Sequence, residues 1–62
     1  MANVKELKKG ERFWCWWMSR YLFFRMSYVK CFTGVTCYVF EDINDARFEL
    51  TEEQVGKLER RA

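Results

Sequence analysis

The residues able to do chemistry are Ser19, Ser27, Thr33, Thr36 and Thr51, the thiols Cys15, Cys31 and Cys37, and an acidic cluster of Glu41, Asp42 and Asp45. The sequence has no histidine. That removes the commonest general base and the commonest zinc ligand. A hydroxyl or thiol nucleophile needs a neighbouring base or a lowered pKa, and no pairing in the sequence points to one. A structural zinc site takes four Cys or His ligands, more than three cysteines supply. An EF-hand loop needs a central glycine and a glutamate at its last position, and neither accompanies the acidic cluster. Asp42, Asn44 and Asp45 read instead as turn formers, because Asx side chains hydrogen-bond their own backbone and tolerate positive φ. A chain this short also struggles to build a preformed pocket of about 300 Å³. The expectation is a non-enzymatic protein without metal, cofactor or small-molecule substrate.

Sixty-two residues allow one domain, spanning residues 1–62. Half the residues are hydrophobic, which argues against a disordered tail. The longest run free of charge, Cys31 to Phe40, is 10 residues. A membrane helix needs roughly 18 or more, so no crossing is expected. Lys5, Lys8 and Lys9 resemble the basic start of a signal peptide, but Glu11, Arg12 and Arg20 interrupt the apolar run that should follow. The odd cysteine count also departs from a secreted disulfide scaffold. The expected location is therefore cytoplasmic, with reduced, buried thiols. Cys31 and Cys37 flank the Thr33-Gly34 turn, and a bond between them is the alternative, provided their Cα atoms come within about 6.8 Å.

A domain of this size buries only about 60% of its unfolded surface. Six Phe, three Trp and three Tyr supply burial that a longer chain would obtain from bulk. Net charge is +2, too small to imply nucleic acid by itself. It is unevenly spread: residues 1–31 hold 7 Lys/Arg against 2 acids, and residues 32–62 hold 4 against 7.

The alternation of side chains places the elements. Val4 and Leu7 share one face of an N-terminal turn that Gly10 stops. Five short strands follow, at 11–18, 20–26, 28–33, 35–41 and 46–50, with turns at Ser19, Ser27, Gly34 and Asp42–Asp45. Thr51 and Gln54 form a capping box. Glu52 and Glu53 lie in the helix's first turn and Lys57, Arg60 and Arg61 in its last. Val55 and Leu58 anchor this short helix, which should dock shallowly and fray after Leu58. The fold class is mainly β: a small five-stranded antiparallel SH3-like barrel or bent sheet with a short C-terminal helix. Its core takes Phe13, Cys15, Trp17, Leu22, Phe24, Val29, Cys31, Val35, Cys37, Val39, Phe48 and Leu50.

The opening Leu7-Lys8-Lys9-Gly10-Glu11-Arg12-Phe13 resembles the entry to the first strand of SH3-like barrels, where a glycine turn feeds a charged residue and then a core aromatic. Tyr38-Val39-Phe40-Glu41-Asp42 and Phe48-Glu49-Leu50 resemble the late hairpin of small barrels of phage or mobile-element type. The resemblance implies an adaptor or inhibitor and transfers no functional residue.

Once the core is assigned, Trp14, Trp16, Tyr21 and Phe23 remain on the opposite face of adjacent strands, interleaved with Arg12, Arg20 and Arg25. Trp, Tyr and Arg are the types enriched at binding hot spots, and a contiguous exposed patch of them marks an interaction site. The alternative is that they pack beneath the terminal segments, or that this face is the core. The expected partner surface is Arg12, Trp14, Trp16, Tyr21, Phe23 and Arg25. A protein partner or self-association as a homodimer is favoured, as in a phage-encoded inhibitor of a host or defence protein. The same face could serve a single-stranded nucleic acid, through base stacking and phosphate contacts, but the pI near 8.5 is below the range of about 9 and above that marks such modules. A third reading is a structural subunit of a larger assembly.

Overall fold

A computed structural model of the chain describes residues 7–60. The strands are β1 (Arg12–Cys15), β2 (Arg20–Val29), β3 (Thr36–Glu41), β4 (Arg47–Leu50) and β5 (Glu59–Arg60), with helix α1 (Glu52–Gly56) before the last. They form one five-stranded antiparallel sheet in the order β4-β3-β2-β1-β5. The mainly β fold with a short C-terminal helix is therefore the one the side-chain alternation implies.

The strand boundaries differ from that reading in informative ways. β1 stops at Cys15, and Trp16 to Ser19 form the turn, with Ser19 at φ 52°. The segments expected as separate second and third strands are one strand, β2, because Ser27 is too weak a turn former to break it. Its register against β3 slips between Phe24 and Met26, where a β-bulge adds a residue and reverses which side chains face inward. Residues 31–35 are a loop, and Val29, Cys31 and Val35 are exposed rather than in the core. The fifth strand is Glu59–Arg60, which returns beside β1.

The core follows from these registers. Phe13 and Cys15 of β1, Leu22 and Phe24 of β2, Phe40 of β3 and Leu50 of β4 cluster with Val55 and Leu58. Leu7, Trp17, Met18, Tyr38 and Phe48 pack against them. Phe40 is central: its ring meets Phe13 edge-on at 6.0 Å and Phe24 at 5.4 Å. On β3 the inward set is therefore Tyr38 and Phe40, not Cys37 and Val39. Those two are buried on the outer face. Tyr28 stands opposite Cys37 and Glu49 opposite Val39, and the Tyr28 hydroxyl donates to Glu49 Oε1 at 2.7 Å. This bond spans β3 from β2 to β4 and roofs both buried residues. Glu49 favours the protonated phenol and pushes the Tyr28 pKa up to about 12.

The capping box at Thr51 and Gln54 is present in both directions. The helix ends at Gly56, so Lys57 caps it and Arg60 belongs to β5 rather than to a basic last turn. α1 packs on β3 and β4 and sends Val55 into the core. At the other end Gly10, at φ 85°, donates its N–H to the Phe24 carbonyl at 2.7 Å, which steers the chain into β1. Val4 lies outside the described residues. No helix among them is long and apolar enough to cross a membrane.

Candidate functional site

The β1–β2 register sets Arg12 opposite Phe23 and Trp14 opposite Tyr21. Since Phe13 and Leu22, paired between them, are fully buried, these four side chains share the sheet face away from the core. The Trp14 ring meets Tyr21 edge-on at 4.9 Å, and the Arg12 guanidinium lies 4.4 Å over the Tyr21 ring. Trp14, Tyr21 and Phe23 are half-buried and Arg12 is exposed. α1 is not their cover, because Val55 belongs to the cluster on the opposite face.

The other two residues of the expected surface are placed differently. Trp16 sits in the β1–β2 turn, 57% exposed, with its ring edge-on to Trp17 at 5.4 Å. It projects from the tip of the hairpin rather than from the strand face. Arg25, at the bulge, bonds Glu41 Oε1 through Nε at 3.0 Å, and Arg47 approaches the other oxygen at 3.6 Å. Arg25 is thus neutralised by a carboxylate from β3 that the order of residues gave no reason to place there.

Both the β1–β2 and β3–β4 turns lie at the same end of the sheet, and a cleft of about 400 Å³ opens between them. Arg12, Tyr21 and Phe23 form part of its wall. The rest of the wall is Arg20 at the start of β2, which the sequence set among the patch's arginines but not in the contact surface, and Ser19 of one turn with Asp42, Ile43 and Asn44 of the other, which sequence reasoning missed. The only hint was Ile43, an apolar residue in the middle of a polar turn, which is 85% exposed.

Asp42 builds the second turn. Its Oδ1 accepts the N–H groups of Asn44 and Ala46, each at 2.9 Å, and its Oδ2 accepts from Arg20 Nη1 at 3.0 Å. The Asp45 N–H returns to the Asp42 carbonyl at 3.0 Å, and Asp45 takes the left-handed conformation at φ 63° that ends such a hairpin turn. The Ala46 N–H above all, then the Asn44 N–H and Arg20, holds the Asp42 carboxyl below its ordinary range, against the opposing effect of burial. A lowered carboxylate pKa contributes stability above the unfolded value and loses it as pH falls through the folded one. The urea midpoint should therefore stay nearly level from pH 7 to pH 5 and drop below about pH 4. Asp42→Asn should be less stable at pH 7 and show a shallower acid limb. An unchanged limb would mean that another carboxylate governs it.

Cys15 is buried, and desolvation raises its thiol pKa, which suppresses the nucleophilic thiolate. Cys31 is exposed and Cys37 buried, both as free thiols. Among the described residues no group of His, Cys, Asp and Glu is arranged to hold a metal ion. No protein-family model, curated protein or solved structure matches the chain.

Proposed function

We propose that this chain is a non-enzymatic protein-binding module whose contact surface is the outer face and tip of the β1–β2 hairpin. The observation that carries the reading is the register: Arg12, Trp14, Tyr21 and Phe23 are brought side by side on the face opposite the core, next to a strongly exposed Trp16. Aromatic anchors flanked by arginine supply rigid apolar area at low entropic cost, together with orienting hydrogen bonds. The module acts by occlusion, as an inhibitor that covers a surface of its target, in keeping with the small phage-type barrels it resembles. A strand order that returns the last strand beside the first, with a short helix just before it, supports the SH3-like reading of the sheet. The exposed free thiol of Cys31 suits a reducing, cytoplasmic setting.

A nucleic-acid partner is less well served by the same face. Arg20 and Arg25 are each engaged by a carboxylate, so of the three arginines interleaved with the aromatics only Arg12 is left to meet phosphates. Trp16→Ala is the decisive variant. Proteins captured from an extract by the immobilised wild-type chain should be lost by more than about tenfold. The thermal midpoint should move by no more than about 2–3 °C, because the side chain is mostly in solvent. Undiminished capture, or loss of folding, would overturn this assignment. Tight binding of a labelled single-stranded oligonucleotide at about 50 mM salt, weakening steeply as salt rises, would favour nucleic acid instead.

A further inference from the structure

The cleft between the two turns has a chemical preference that the binding-module reading alone does not specify. Arg12 differs from every other described arginine. Arg20 holds Asp42, Arg25 and Arg47 share Glu41, and Arg60 holds Glu11 at 2.8 Å. No carboxylate among the described residues engages Arg12; its contact is the face of Tyr21. The contact holds the guanidinium carbon over the ring and uses none of its N–H groups in a hydrogen bond, and a guanidinium so placed can offer paired N–H donors to a carboxylate.

The rest of the cleft agrees. The one acid in its wall, Asp42, already accepts three hydrogen bonds and has little left to offer a cation. Arg12 and Arg20 against Asp42 leave the wall with one net positive charge. Tyr21, Phe23 and Ile43 supply the apolar part. A volume of about 400 Å³ accommodates a large side chain together with an adjoining carboxylate.

We propose that this cleft recognises an acidic peptide segment of the partner, with an Asp or Glu carboxylate bound by Arg12 and a neighbouring aromatic side chain seated against Tyr21, Phe23 and Ile43. The proposal rests on the binding-module reading and gives it a ligand chemistry. Arg12 fixes the sign of the charge accepted, and the aromatic floor fixes the companion residue.

The test is an amide-resolved NMR titration of the full chain with the capped dipeptide N-acetyl-Asp-Phe-amide, its isosteric Asn-Phe counterpart, and Asp-Ala. The Asp-Phe probe should give saturable shifts at the amides of Arg12, Tyr21, Phe23 and Asn44. The Asn-Phe probe, which lacks the charge, should bind about tenfold more weakly or worse. Asp-Ala should also be weaker, having no ring to seat. Arg12→Gln should abolish the discrimination between Asp-Phe and Asn-Phe while the remaining spectrum stays native, and Arg12→Lys should restore part of it. Equal binding of the charged and neutral probes, shifts confined to another surface, or no saturation at millimolar concentration would each overturn the proposal. The two readings fail separately. Loss of captured protein with Trp16→Ala, combined with no dipeptide binding, leaves the module and removes the acidic specificity. Dipeptide binding at the cleft with capture indifferent to Trp16 does the reverse.

Discussion

Phe40→Ala is expected to leave the chain largely unfolded at 25 °C. Phe40 is fully buried near the C-terminal end of β3 and joins the two hairpins, through edge contacts with Phe13 of β1 and Phe24 of β2 and its pairing with Phe48 of β4. Truncating such a ring removes its transfer free energy and leaves a cavity between strands that cannot collapse without breaking their registers. The cost is about 3–5 kcal/mol. Total stability for a domain of this size is about 3–9 kcal/mol. Urea titration followed by tryptophan fluorescence should show either no folded baseline or a midpoint lowered by most of its wild-type value. Phe40→Leu, which keeps most of the volume, should retain a cooperative transition. A loss under about 1 kcal/mol for Phe40→Ala would mean that the four strands do not share one core.

Leu58→Ala is the second large effect, and it tests how the chain is closed. The side chain is fully buried among the core residues, although it lies beyond the end of α1. The Leu58 N–H bonds the Val55 carbonyl at 3.0 Å, which turns the backbone out of the helix and into β5. Glu59 and Arg60 then pair with Trp14 and Phe13. The Arg60 guanidinium, 5.4 Å over the Phe13 ring, bonds Glu11 at 2.8 Å. Two residues of strand pairing are too few to hold themselves, so Leu58 is the anchor that keeps β5 against β1. Its loss should cost about 2–5 kcal/mol. Amide exchange at Trp14, on the β5 side of the sheet, should accelerate more than exchange at Phe40. Equal acceleration everywhere would indicate that Leu58 supports the whole core and not the β5 closure. A cost near zero would mean that the segment after the helix is not docked.

Much of the fold was legible because it depends on local chemistry. The alternation of Phe13 and Cys15, and of Leu22 and Phe24, gave the correct inward faces of β1 and of the first half of β2. The Asx-rich stretch from Asp42 to Asp45 announced its turn, since the side chain that makes the turn is in the turn. Thr51 and Gln54 announced the helix start for the same reason. Failures came where a residue's environment is set by distant chain. Tyr38 and Phe40 point inward, and Cys37 and Val39 outward, because Phe40 pairs with the inward Phe24 of β2 and with Phe48 of β4. A run apolar on both faces, such as Cys37 to Phe40, carries no alternation from which that choice could be made. Cys31 and Val35, apolar by type, fall in a loop.

The candidate site divides along the same line. The sequence by itself determined that this protein has no histidine, that it is a small β domain, and that its aromatic surplus is concentrated in the first hairpin. It could place Arg12, Trp14, Tyr21 and Phe23 together, because neighbouring antiparallel strands and a period of two suffice for that. Only the tertiary structure decided that Trp16 belongs to the hairpin tip, that Arg25 is neutralised by Glu41, and that the Asp42 turn closes a cleft against Arg12 and Tyr21. The first rests on where β1–β2 pairing stops, the second on register across β2 and β3, and the third on a turn brought alongside from more than twenty residues away. Such contacts are fixed by how the whole sheet packs, and no local pattern encodes them.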